Sequence, residues 1–316
     1  MDQRIDYIDV AKGFAILSVV LYHVASPLEY HVLRDFINTY FLSLFFFISG
    51  FLSIGKTFYS STIVSYFKKK AKALLIPFVV CGITNYLYRN FVLLENHDFF
   101  IMSDAKGGYW FLLVLFYFFL TLKMFFTVFH ISKFHSRFYF LIIPFILVVL
   151  LSKILYVDWY YLFSLSAYRR YYLLFLFGVF FRFYSIDFSK KLMAISAFAY
   201  LSLIYLFLDH MTFFKSETDY FIWLFTNMAG CILWLNICKL LPKTLSFLCK
   251  FGVNSLGIYV LHYFFFQFFC LLYNKIDMEA SLFLLLIVST LILLLAYIST
   301  LLVSKNKFLS ILFLGK

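Results

Sequence analysis

A chain of 316 residues that is 64% hydrophobic, 24% aromatic and only 13% charged is unlike a water-soluble globule, whose charged share is about 25%. No soluble core hides 47 Phe and 25 Tyr, so the composition reads as a polytopic membrane protein. In such a chain the net charge of +12 reports on loop placement, and nucleic acid is not expected as a partner.

Taken in order, ten apolar stretches of membrane-spanning character are predicted, at roughly 8–26, 36–55, 73–89, 109–129, 138–156, 170–186, 190–208, 219–241, 253–273 and 281–303. The fold class expected is therefore all-α, a transmembrane helical bundle in contact with membrane lipids. Residues 1–316 form one integral-membrane domain, because no polar linker is long enough to separate a second. With the N-terminus in the cytoplasm, most of the 27 basic residues fall on the inner side and most of the 15 acidic residues outside. That segregation follows the positive-inside rule and puts both termini in the cytoplasm, in a multi-pass protein of the cell membrane. The first span has no small-residue cleavage site and carries Lys12 and His23, so it reads as a retained helix and not a signal peptide. Cys81, Cys231, Cys238, Cys249 and Cys270 are scattered through apolar runs with no metal or redox spacing; buried free thiols and no metal are expected. No internal repeat is visible.

The first span holds the most informative residues. Lys12 and His23 are eleven positions apart, which on a helix leaves them about 20° apart on one face and about 16 Å apart along the axis. Asp9, three residues before Lys12, falls near the same face. An ionisable stripe of this kind is costly in lipid and should face a protein interior or a wet cavity. The spacing also fits a snorkelling Lys12 and a packed, neutral His23.

Further along, Tyr66-Phe67-Lys68-Lys69-Lys70-Ala71-Lys72 occupies the predicted inner loop before the third span, as a topology signal or an anionic-lipid contact. An outer connection over 89–108 carries Glu95, His97, Asp98, Asp104 and Gly107-Gly108. Tyr109 and Trp110 follow it at the outer start of the fourth span. Asp158-Trp159-Tyr160-Tyr161 and Trp223 lie near predicted outer interfaces, where aromatic belts occur. Lys123 and Arg182 sit near inner span ends and read as snorkelling side chains. His262 lies near the middle of the ninth span with Tyr259 on a neighbouring face, as either a structural or a second catalytic histidine.

Four stretches in this order resemble the acyltransferase-3 family of integral-membrane acyltransferases. They are Asp9 through Lys12-Gly13 to His23, the Phe47-Ile48-Ser49-Gly50-Phe51-Leu52 run, Tyr109-Trp110-Phe111-Leu112, and Gly252 to His262. The resemblance implies an O-acyltransferase, most simply an O-acetyltransferase. It would use cytoplasmic acyl-CoA (acetyl-CoA as donor substrate) and a hydroxyl of a surface polysaccharide or its lipid-linked precursor as acceptor. His23 aligns with the family's essential histidine and would act as general base, since imidazole removes a hydroxyl proton near neutral pH. Lys12 would hold a coenzyme phosphate or the thioester region, with Asp9 orienting it, and Tyr109 and Trp110 match an aromatic motif that lines the acceptor pocket or forms a belt. The orienting partner of His23 must come from another span, because Asp9 is about 21 Å away along the helix; Tyr259 or His262 is expected.

The family also has two arginines with two residues between them, placed against the nucleotide phosphates. Lys69 and Lys72 have that spacing, whereas the register set by Leu74-Leu75-Ile76-Pro77 pairs Lys70 with Ala73. Lysine lacks the bidentate fork of arginine, so contact here would be by point charges. The competing class is a polysaccharide or acyl-group transporter or flippase, with the same polar residues lining a path. Most acids lie at predicted span ends, which favours the enzyme.

The topology is directly testable. Cysteines introduced at positions 5 and 310 in a chain lacking its native cysteines should resist an impermeant thiol reagent in intact cells. Labelling of either from outside would refute the arrangement.

Overall fold

With no water in a bilayer's hydrocarbon region, each backbone N–H and C=O must be paired within its own segment, and an apolar chain is driven to helices. The computed structural model describes residues 6–94, 108–132, 135–154, 162–208, 217–241, 245–276 and 279–316. All regular structure among the described residues is helical, with no strand. The helices are α1 (Asp6–Ala25), α2 (His31–Asn38), α3 (Phe41–Phe51), α4 (Lys56–Ser60), α5 (Ile63–Lys70), α6 (Ile76–Leu87), α7 (Trp110–Val128) and α8 (Ile143–Ile154). They continue with α9 (Leu165–Phe183), α10 (Lys190–Leu208), α11 (Glu217–Leu240), α12 (Ser246–Val253), α13 (Ser255–Ile276), α14 (Leu282–Lys305) and α15 (Lys307–Leu314). Eight segments among the described residues are long and apolar enough to cross a membrane: Asp6–Ala25, His31–Phe51, Ile63–Val92, Trp110–Val128, His135–Ser152, Thr218–Leu240, Ser255–Ile276 and Leu282–Lys305. The remaining expected spans, 170–186 and 190–208, fall on α9 and α10.

Three departures from the sequence reading have local causes. The lysine run, expected in a loop, lies inside the apolar segment Ile63–Val92. Thr62 starts this helix by accepting the Ser65 N–H on its hydroxyl oxygen at 3.2 Å. Lysine and alanine are good helix formers, and no proline intervenes before Pro77, in the first turn of α6 beyond a π-turn over Ala71–Leu75. Trp223, expected at an interface, is 1% exposed and belongs to the core. Lys123, expected to reach water, is 5% exposed. None of the five cysteines is in a disulfide, and Cys249 and Cys270 are only partly buried. Glu95, His97, Asp98, Asp104, Gly107 and the 158–161 stretch lie outside the described residues.

The chain divides into two compact units, Met1–Leu52 with Phe177–Thr300, and Ser53–Leu176 with Leu301–Lys316. In the first, Ile8, Ala11, Ala15, Leu44, Phe47, Cys231 and Leu235 share one buried apolar cluster. Ser43 and Asn227 are paired beside it: Ser43 donates to the Asn227 carbonyl oxygen at 2.5 Å, and Asn227 donates to the Trp223 carbonyl at 2.8 Å. The Thr39 hydroxyl bonds the Tyr200 hydroxyl, at the break between α2 and α3. In the second unit, α7 packs through Phe118 on Tyr168, Tyr172 and Phe175, with ring centroids 5.1–5.3 Å apart. The Tyr172 hydroxyl donates to the Leu141 carbonyl at 3.0 Å.

The tightest packing in the first unit is between α1 and α12. A Cβ on Gly13 would strike the Leu248 carbonyl, and one on Gly252 would strike the Asp9 carbonyl and the Gly13 amide. Each glycine is thus seated against the other helix's backbone, where no rotamer change makes room. Gly252→Ala should cost about 3 kcal/mol, the top of the usual overpacking range, because backbone must move. The measurement is the thermal midpoint of purified protein; a variant melting with the wild type would show that the two helices are not clasped in this way.

Candidate functional site

The clasp fixes the N-terminal end of a polar line. On α1, the Lys12 ammonium donates to the Asp9 carboxylate at 3.1 Å, with Asp9 buried and Lys12 about a quarter exposed. Three-residue spacing on a helix puts the two side chains on one face, which the sequence predicts. Ten residues beyond Gly13, His23 is half-buried in an aromatic surround: Tyr22 at 5.7 Å, Tyr263 at 5.6 Å and Phe266 at 5.3 Å between ring centroids. The fourth ring is His262, 5.4 Å away and tilted by 42°. Ten residues likewise separate Gly252 from His262. The two segments therefore run in the same direction and meet at both ends, glycine to glycine and histidine to histidine.

His262 is 1% exposed, and its own helix sets its tautomer. Nδ1 lies 2.6 Å from the Tyr259 carbonyl and 3.1 Å from the Ile258 carbonyl. Carbonyls only accept, so Nδ1 carries the proton and the neutral ring keeps its lone pair on Nε2. Nε2 is buried and has no hydrogen-bond partner among the described residues. Of the two groups expected beside His23 from another span, His262 has its ring 5.4 Å from that of His23. Tyr259 enters through its main-chain carbonyl and through its ring, 6.0 Å from that of His262. A residue that sequence reasoning passed over is Gln267, also on α13: it is 7% exposed, and both polar atoms of its side-chain amide lack a partner among the described residues. A lone glutamine between Tyr263-Phe264-Phe265-Phe266 and Phe268-Phe269 in the sequence was its available signal.

The other five sequence-predicted site residues belong to the second unit. Lys69 and Lys72 are exposed, while Lys70 is half-buried with its ammonium 3.4 Å from the Phe119 ring centroid and 5.5 Å from that of Tyr66. Lys70 is therefore packed against aromatic faces, whereas Lys68, Lys69 and Lys72 are exposed on the surface of the structure. Tyr109 is 1% exposed, which removes it from a lipid-facing belt. Trp110 is half-buried and stacks on Tyr171 with centroids 5.8 Å apart.

A half-exposed imidazole backed by a second, tautomerically fixed imidazole can take and return a proton, and a lysine–carboxylate pair on the same helix face can meet an anion. Neither the characterised proteins nor the solved structures include a match to the chain. The sequence profile of the acyltransferase-3 family, described as an acyltransferase domain, matches residues 5–304, from the start of α1 almost to the end of α14. The chain belongs to the acyltransferase-3 family and is a multi-pass membrane acyltransferase.

Proposed function

We propose that the protein is an O-acetyltransferase that moves the acetyl group of cytoplasmic acetyl-CoA to a hydroxyl of a surface polysaccharide or its lipid-linked precursor, with His23 as general base. The observation that carries this reading is the pairing of His23 with a buried His262 whose Nδ1–H is held by backbone carbonyls. A sugar hydroxyl is a poor nucleophile. His23 accepts its proton as the oxygen attacks the thioester carbonyl, and the tetrahedral intermediate collapses with the coenzyme thiolate as leaving group. The proton on His23 then passes to that thiolate, so the enzyme ends as it began. The His262 ring, 5.4 Å from that of His23 and fixed by its own backbone hydrogen bonds, holds the neighbouring imidazole in place. His262 is in this reading a positioning residue.

Lys12, held by Asp9 about 16 Å from His23 along α1, suits a phosphate of the donor while the thioester reaches the histidine. Lys69 and Lys72 add exposed positive charge for the nucleotide, and Lys70 supports the helix that carries them. Tyr109 and Trp110 are assigned to the wall of the acceptor pocket. With α9 and α10, each 19 residues long, the spans number ten, and an even count keeps both termini on the cytoplasmic side of the cell membrane.

The decisive variant is His23→Ala. Surface glycans from cells carrying it should lose the added acetyl mass, with transfer down by about 10²–10⁴-fold, while the purified variant still binds acetyl-CoA. Lys12→Ala should instead weaken acetyl-CoA binding. Near-normal glycan acetylation by a folded His23→Ala protein sinks the base assignment. A folded variant that no longer binds donor makes His23 a binding residue.

A further inference from the structure

The second unit holds a pocket that the reaction above does not use. Phe58, Tyr59, Thr62, Lys123, Thr127 and His130 are among the residues that enclose about 200 Å3 between α4, the start of α5 and the end of α7. Lys123, 95% buried by its 5% exposure, donates to the Phe58 carbonyl at 2.6 Å and lies 4.8 Å from the Phe58 ring centroid. An ammonium has three donors, so two remain. The charge has no carboxylate to meet: the described residues of this unit contain no Asp or Glu at all. A buried charge without a counter-ion is expensive, and a removable anion is the usual remedy.

The other walls agree. His130, exposed and held at a positive φ of 49° just past α7, adds a ring nitrogen. The pocket also meets the first turn of α5, where Thr62 caps the Ser65 amide and the macrodipole is positive. Close by, 5.9 Å from the Lys123 ammonium, lies the ring of Tyr66, whose buried hydroxyl has no partner among the described residues. Sites for whole small ligands run about 300–1,000 Å3, so this one takes a single charged group and not a nucleotide. Val64 and Val128, adjoining the pocket's walls on α5 and α7, are each 63% exposed, the apolar surface that lipid chains cover.

We propose that Lys123 and His130 form a binding site for one phosphate-ester oxyanion, supplied by the headgroup of an anionic phospholipid or by a phosphate of the acyl donor. Only the second source rests on the donor reading given above.

The test uses the full chain in nanodiscs. In the first arm, with no donor present, native mass spectrometry compares retention of phosphatidylglycerol against phosphatidylcholine. In the second, coenzyme A affinity is measured in phosphatidylcholine nanodiscs. Lys123→Met removes the charge, Lys123→Arg restores it, and Ser132→Asp sets a carboxylate at the exposed rim without touching the core. Loss of a charged hydrogen-bond donor should weaken the ligand about tenfold or more, with recovery in Lys123→Arg. A tenfold loss in the first arm assigns the site to a lipid headgroup, and one in the second assigns it to the coenzyme. Wild-type behaviour of Ser132→Asp in both arms overturns the proposal, even where Lys123→Met fails to fold. The first arm contains no donor, so its result stands whatever becomes of His23.

Discussion

Gly13 and Gly252 let two backbones touch where side chains would hold them apart, and most of the candidate site follows from that contact. In lipid, apolar side chains give no net drive to helix association, so close van der Waals packing between small residues has to supply it. The seat of Gly252 on the Asp9 carbonyl and the Gly13 amide fixes α12 against the very turn that carries Lys12. The Asp9–Lys12 pair is therefore presented from the stretch of helix that is packed backbone to backbone. From there α13 follows α1 until His262 reaches His23.

The polar groups inside this unit divide into two kinds. Ser43, Asn227, Thr39, Tyr200, Ser18 and Tyr40 are matched to one another, or to carbonyls of their own helix, and they tie α1, α3, α10 and α11 together. His262 and Gln267 instead keep buried polar atoms without partners among the described residues. Of these two, His262 carries its unmatched nitrogen on the ring that lies beside His23.

How much of this was legible in the sequence depends on which physical signal carried it. Span positions follow from hydropathy, which integrates over many residues, so each of the eight candidate spans overlaps an expected stretch, although Ile63–Val92 begins ten residues before its own. The common face of Lys12 and His23 follows from helix periodicity alone. The partnership of His23 with His262 crosses between helices, where periodicity says nothing; the shared ten-residue step after a glycine was the trace it left in the chain. The lysine run was misplaced into a loop because charge was weighed above helix propensity, and the capping hydroxyl of Thr62 decided otherwise. Lys123 was misread because a lysine near a span end has two ways to meet its charge, snorkelling or an internal carbonyl. Only the packing of Phe58 across α7 chose between them.

The clasp also turns length into a constraint. Backbone atoms, and not side chains, set the contact at Gly13, so α1 cannot slide or rotate there to absorb a change further along. Dropping one residue between Gly13 and His23 would swing the imidazole by about 100° and draw it back by about 1.5 Å, out of the ring cluster altogether. A matching loss between Gly252 and His262 would not repair this, because both rings would then be turned away. The interval between glycine and histidine is in this sense a phase setting: ten residues leave the imidazole about 80° short of a whole number of turns from the glycine, and the contact between the two rings depends on that angle.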